Sequence, residues 1–422
     1  MSSPADVTRL LDHLFRRQAA QMVATLTRAI GARNLSLAEE AVQDALVTAL
    51  QQWPFHGVPD DPPAWLFRVA RNRALDRLRH QRVVDEKLPE VTGTYEARRG
   101  GVLPDAVLSG ELPPLDDDQL AMMFLTCHPT LPREARVALT LKMVGGFSVG
   151  EIARAFLAQE SAVAQRLVRA KRVLRDKDVA FVQPTGADLG ERLDSVLEAI
   201  YLMFNEGHAA TAGDVLVRED ISAEAIRLAS LLARHPATTR PRVWALLALL
   251  LLHAARFKAR SSSEGELYLL RDQDRQLWDR ALIGEGLRAL ERAAAGDEIS
   301  TYHLEAEIAA CHASAPTWDD TNWTRILECY DELLRLTDSP IVALNRAIAR
   351  AHVIGVHAAI DDVEAVARTG TLSGYHRLPA VLAELWREAG DMERAAGFYR
   401  EALALAASGP ERRFLAARLD HL

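Results

Sequence analysis

The run Gly145-Gly146-Phe147-Ser148-Val149-Gly150-Glu151 fixes two helix boundaries in a few residues. A glycine pair stops one helix. A serine followed three positions later by a glutamate then has the form of a capping box, each side chain satisfying a backbone N–H of the other's turn. The spacing predicts a helix over 132–144, a short helix over 149–156 and, past a tight turn, a helix over 161–175. In the last of these, Val163, Leu167, Ala170 and Leu174 recur at packing distance, while Gln165, Arg166, Arg169, Lys171 and Arg172 fall on other faces. Short helix, turn and basic helix make a helix-turn-helix, whose second helix is the one expected in the major groove.

A second basic helix lies upstream. Ala64 to Arg82 carries six arginines (Arg68, Arg71, Arg73, Arg77, Arg79, Arg82) against one acid, Asp76. Leu66, Phe67, Ala70, Ala74 and Leu78 gather on one arc, with Arg68, Arg71, Asn72, Arg79 and Arg82 opposite. One face can pack and the other can meet phosphate. Arg77 breaks the pattern by falling on the apolar arc, and Trp65, Val69 and Leu75 fall in or beside the basic one. Ahead of this helix, apolar periodicity predicts helices over 5–31 and 36–53. Pro54, Gly57, Pro59 and the Pro62-Pro63 pair are expected to force an irregular loop between.

Charge divides the chain more informatively than its total of −8. Residues 1–83 are net +3, 84–120 net −6, 133–177 net +6 and 178–422 net −11. Two basic modules separated by an acidic connector and followed by an acidic body place polyanion binding in the first half. The connector, with Pro89, Gly93, Gly100-Gly101, Pro104 and Pro113-Pro114, reads as a linker.

Beyond Pro184 the pattern is helical throughout, with helices expected over 189–210, 221–235, 243–258, 285–295 and 299–313. From Asn322 to Leu422, WTRILECYDELLRL, SPIVALNRAIARAH, LPAVLAELWREAG and DMERAAGFYREALALA read as paired helices with small residues at Ala347, Ala351, Ala383, Ala395 and Ala402 and Gly390 at a turn. That is a tetratricopeptide-like pattern, in which no unit buries its apolar face alone. The fold class expected is all-α: two small helical domains, the second with a helix-turn-helix, then an α-helical tetratricopeptide-like domain.

Three stretches in this order resemble an RNA polymerase sigma factor of the extracytoplasmic-function type. AEEAVQDAL (Ala38 to Leu46) is similar to the family's core-binding helix, AWLFRVARNRALDRLR (Ala64 to Arg79) to its promoter-melting helices, and Ser148 to Arg175 to its second DNA-binding domain. YLMFNEGHAA (Tyr201 to Ala210) and SPIVALNRAIA (Ser339 to Ala349) resemble segments of the long helical extension carried by one subgroup. The resemblance implies sigma region 2 over 1–83, an acidic linker over 84–119, sigma region 4 over 120–178 and a C-terminal extension over 179–422, its repeats clearest at 322–422.

It also implies roles. Glu39, Glu40, Gln43 and Asp44 would dock on core RNA polymerase. Trp53, Phe55, Trp65, Arg68, Arg71, Asn72 and Arg79 would bind and melt the promoter −10 element, where an extruded base needs a pocket and aromatic groups to replace its stacking. Gln165, Arg166 and Arg169 would read −35 bases, since arginine pairs bidentately with guanine and glutamine with adenine. Lys171, Arg172 and Arg175 would grip phosphate. One departure concerns Leu157, which stands where the family's turn usually holds glycine. A left-handed residue there would cost about 1–2 kcal/mol, so the turn is remodelled or the second helix tilted.

Catalysis finds no motif: there is no phosphate-cradling glycine loop, GxSxG elbow or HExxH. Asn205, Glu206, Gly207 and His208 are read as a helix end and turn. His303, Cys311 and His312 match no usual zinc spacing, and Cys127, Cys311 and Cys329 form no CxxC, so neither metal, cofactor nor disulfide is expected. The longest apolar run, Ala245 to Ala255, is too short to span a bilayer, and with no basic-then-apolar leader the protein is expected to be cytoplasmic, with no membrane partner. The partners implied are core RNA polymerase, promoter DNA and a protein on the repeat surface. Two rivals are a helix-turn-helix regulator with a repeat-type sensor domain, and a tetratricopeptide-like scaffold whose basic front end binds RNA or protein.

Overall fold

The computed structural model describes residues 18–87, 115–156, 158–186, 188–208, 219–260, 268–406 and 409–422. Residues 5–17 of the first expected helix, the linker from 88 to 114 and Leu157 lie outside them. Among the described residues every regular element is helical. The chain forms two compact units, Met1–Ala199 and Ile200–Leu422.

The first unit begins with α1 over 18–30, α2 (Leu35–His56) and α3 (Pro62–Lys87). On α2 the stripe Ala38, Ala41, Ala45 and Ala49 has no exposed surface, and Leu66, Phe67, Ala70 and Ala74 of α3 are buried. Four alanines spaced three or four apart let the α3 side chains close on the α2 backbone. Met22, Val23 and Leu26 of α1 are buried as well.

Two boundaries differ from expectation for reasons proline itself supplies. Helix α2 continues through Pro54 to His56. Trp53, 3% exposed, holds the last turn in the core, and Gly57 closes it at φ 84°, its N–H donating to the Trp53 carbonyl. The Pro62-Pro63 pair opens α3, because the first turn has no N–H to lose. Asp61 caps that turn, accepting from the Ala64 N–H at 3.0 Å.

Helices α4 (Leu115–Thr126), α5 (Arg133–Met143), α6 (Val149–Ala155) and α7 (Glu160–Asp176) build the second module. The capping box forms as its sequence requires: Glu151 N–H donates to Ser148 Oγ at 3.2 Å and Ser148 N–H to Glu151 Oε2 at 2.7 Å. Val163, Leu167, Ala170 and Leu174 are all buried, and α7 packs on α5 and α6. Cys127, beside Thr126 and Thr140, is buried, which pushes its thiol up to about 11 and leaves it protonated.

Helix α8 (Asp188–His208) begins in this unit, past the boundary expected at 178. Leu193, Val196 and Leu197 are buried. Arg136 joins it to α5, donating to the Leu131 and Pro129 carbonyls, to Ser195 Oγ at 3.3 Å and to Glu198 Oε2 at 3.1 Å. Arg192 donates to the Phe124 carbonyl at 2.8 Å.

The second unit continues with α9 (Glu219–Arg234), α10 (Pro241–Ala254), α11 (Arg280–Ala293) and α12 (Thr301–Ser314), then α13 (Trp323–Thr337), α14 (Pro340–Val353), α15 (Val356–Arg368), α16 (Arg377–Glu388), α17 (Met392–Leu405) and α18 (Gly409–Asp420). The apolar run at 245–255 is explained by α10, which is buried on nearly every side. Consecutive helices pack in series, as repeat units must. Ala347, Ala383, Ala395 and Ala402 are the close-contact points, and Ala351 is half-buried. Helix α15 was not among the expected elements; Ala359, Ile360 and Val363 hold it in the same core as Ala347 and Leu382.

Candidate nucleic-acid interface

The exposed side of α3 presents Arg68, Asn72 and Arg79, with Arg71 half-buried and reaching Asn72 Oδ1 at 3.4 Å. Arg79 sits beside Asp76 at 3.4 Å. At the end of α2, Phe55 is 83% exposed. Trp53 is placed otherwise: its ring is buried edge-on against half-buried Trp65, centroids 5.5 Å apart and planes at 63°. In this arrangement Trp53 offers no surface to a strand.

Arg77, out of place on a helical wheel, lies between two of the α2 acids, with Nη1 2.5 Å from Glu40 and Nη2 2.7 Å from Asp44. Gln43 is exposed, and beyond it Val47 and Leu50 continue the same edge of α2 into solvent. These two apolar residues were not singled out from the sequence. The signal was there: both fall off the alanine stripe that α3 covers.

On α7, Gln165, Arg169, Arg172 and Arg175 are exposed, the last two within 3.3 and 3.2 Å of Asp176. Arg166 points toward Glu134 at 3.6 Å. Val168 is 63% exposed on the same face, a second apolar group missed because it is off the buried stripe.

Glu39 is the exception among the four expected docking residues, at 13% side-chain exposure. It lies between two lysines of the second module, Lys142 at 3.4 Å and Lys171 at 2.8 Å. Three further contacts hold the modules together. Asp118 on α4 accepts from Thr25 Oγ1 at 2.9 Å and pairs with Arg28 at 3.0 Å, and Arg33 meets Asp178 at 2.6 Å. Burial pushes the Asp118 carboxyl up from its ordinary value, while the Thr25 hydrogen bond and Arg28 pull it back. The −10 and −35 sets are thus brought into one unit, with Glu39 and Lys171 facing each other.

Among the described residues no three of His, Cys, Asp or Glu converge as metal ligands. His303 instead closes the start of α12, its Nδ1 accepting from the Ser300 N–H at 3.1 Å. No helix among the described residues is long and apolar enough to cross a membrane.

Comparison with known proteins accounts for both modules. Residues 14–83 match the family described as Sigma-70 region 2, and residues 121–174 that described as Sigma-70, region 4. Residues 192–294 match a family of unknown function (DUF6596). A protein of Rhizobium meliloti (strain 1021) described as "Uncharacterized protein R00370" is 39% identical over 407 residues, covering 95% of each chain. The RNA polymerase sigma factor CarQ of Myxococcus xanthus is 29% identical over 141 residues, 33% of this chain and 73% of its own. With both sigma regions in order and a helical extension behind them, this chain belongs to the RNA polymerase sigma factors of the extracytoplasmic-function type, in a form with a C-terminal extension.

Proposed function

We propose that this sigma factor docks on core polymerase through the α2 edge, opens the −10 element with α3 and reads the −35 element with α7, and that the closed first unit is its stored form. The observation that carries the reading is Glu39 held between Lys142 and Lys171. With each oxygen on a lysine and only 13% of the side chain exposed, Glu39 reaches polymerase only by giving up this contact, and a phosphate competes with Glu39 for the Lys171 charge.

The promoter gives a second argument. Elements named −10 and −35 stand roughly 25 base steps apart, about 85 Å of duplex at 3.4 Å per step. Modules joined by a 2.8 Å ion pair do not reach across that distance, so Glu39 and Lys171 separate when the promoter is bound.

Within the open form, Gln43, Val47 and Leu50 supply a mixed polar and apolar edge suited to another protein's helix. Phe55 is the exposed aromatic that can stack on an extruded base, with exposed Asn72 of α3 to hydrogen-bond and Arg68, Arg71 and Arg79 on the backbone. Trp65 and Trp53 set the shape of that surface from beneath. The extension modulates this cycle, and its repeat surface is the place for a partner protein.

Binding measurements with core polymerase and with promoter DNA separate these roles. Val47→Glu weakens association with core by roughly tenfold or more while leaving duplex −35 binding intact. Removing the charges of Arg68, Arg71 and Arg79 lowers the salt slope of promoter binding by about 0.9 per lost phosphate contact. An unchanged core affinity in the first variant, or an unchanged slope in the second, contradicts the corresponding assignment.

A further inference from the structure

The repeat unit contains a cavity that promoter recognition does not use. It has a volume of about 480 Å³ and lies among α12, α13, α14, α16, α17 and α18. Trp318, Trp323, Tyr330, Tyr375 and Phe414 supply much of its wall, with Leu344 and Ile326 between them. This is the size and lining of a small-molecule site, and packed interiors hold few voids much larger than a water molecule.

We infer that this cavity binds a small, uncharged, planar ring compound. The charge arrangement excludes the other classes. Glu384 accepts from Arg271 at 2.6 Å, from Arg387 at 3.0 Å and from the Tyr399 hydroxyl at 2.5 Å. Arg271 also meets Glu388 at 2.9 Å, and Glu411 sits between His376 at 3.3 Å and Arg377 at 3.7 Å. Arg271, Arg377, Glu384, Glu388 and Glu411 are thus paired with one another or with Arg387, so a charged ligand would lose its water and gain no unpaired counter-charge.

The aromatic geometry points the same way. A cage for a cation needs indole faces converging on one point. Here the two indoles meet edge to face at 4.8 Å and 67°. His352 stacks on Trp323 at 3.9 Å, and His312 lies nearly parallel to Trp318 at 6.0 Å. One face of each indole is already covered, leaving edges and slots that suit a flat ring. His312 is nine-tenths buried at this wall and its Nδ1 has no hydrogen-bond partner. Burial, with Arg256 and Arg275 nearby, holds its pKa down to about 3, so the imidazole is uncharged at neutral pH. An extended peptide is the poorer fit, because its backbone needs a row of polar partners and the charged groups here are engaged with one another.

The test uses the full chain and Prodan, an uncharged planar naphthalene whose emission moves to the blue in apolar surroundings. The expected result is a saturable, blue-shifted signal with one site per chain and a Kd of about 1–50 µM. Indole displaces the dye, whereas benzoate and tetramethylammonium at the same concentration do not. Ile348→Phe fills the cavity and raises Kd at least tenfold. Asn345→Trp does the same from an exposed wall position where folding is not at stake. Absence of saturable binding, as a groove shaped for peptide would give, overturns the inference. So does unchanged affinity in Asn345→Trp, or displacement by either ion. The readout involves neither polymerase nor DNA, so its failure leaves the promoter assignment standing.

Discussion

Val168 stands in solvent one helical turn from Gln165 and from Arg172, on the face of α7 opposite its buried stripe. An exposed methyl-bearing side chain there suits the C5-methyl of thymine, while Gln165 suits adenine. Replacing Gln165 by alanine is expected to reduce discrimination at one base pair by about 1–3 kcal/mol with no change in salt slope. Replacing Arg172 is expected to weaken all sequences alike and lower the slope by about one unit. Competition binding against single-base promoter variants at several salt concentrations distinguishes the two. If Gln165→Ala lowers all affinities equally, it is a phosphate contact. At this scale the sequence was legible wherever a residue's partner lay in its own helix. Leu167, Ala170 and Leu174 could be placed from spacing alone. Arg77 could not, because Glu40 and Asp44 lie more than thirty positions away. Trp53 was misplaced for the same reason: the Trp65 ring that covers it belongs to the next helix.

Helices α1 and α2 and the turn between them meet the second module through Thr25, Arg28, Arg33 and Glu39, and a clasp built on these polar contacts can open. Lys142 is the informative residue, since it lies on α5, outside both candidate DNA sets. Lys142→Met is expected to shift the unit toward its open form and raise affinity for −35 duplex by roughly three- to tenfold, the effect of losing a partly buried ion pair. Fluorescence transfer between α2 and α7 should fall in parallel. Unchanged transfer together with unchanged affinity contradicts the clasp. Element boundaries were legible where caps and glycines mark them, as at Ser148 and Gly146. They were less so where proline can either break or start a helix, as at Pro54 and Pro62. Helix α15 was overlooked because the burial of Ala359, Ile360 and Val363 depends on packing against α14 and α16. That the first turns of α8 pack beside α5 could not be read from sequence, since Arg136 and Glu198 come together only in the fold.

Over the whole chain, acid weakens both units by one mechanism. His128 in the first unit, and His253 and His312 in the second, have pKa values lowered chiefly by burial, to about 4 for His128 and about 3 for His312. Each is neutral when folded, and each takes up a proton near pH 6.5 when unfolded. Their contribution is complete above pH 6.5 and is lost as pH falls toward the folded values. For His312 the loss between pH 6.5 and 5 is on the order of 2 kcal/mol. Thermal unfolding of the full chain should show a melting temperature that falls steadily from pH 7 to pH 5. In the second unit His312→Phe should flatten that trend, and an equal slope in the variant contradicts the assignment. The broad plan, two basic helical modules before a larger acidic helical body, was readable from charge and periodicity. What the larger body closes around was not, because its cavity wall draws on six helices and on side chains as far apart in sequence as Leu269 and Leu415.

The most direct measurement is run-off transcription with purified core polymerase, the full chain and a library of upstream fragments. A discrete transcript is expected from particular fragments only when this chain is present, lost on Val47→Glu and redistributed among fragments by Gln165→Ala. A transcript pattern that is the same with and without the chain contradicts that expectation.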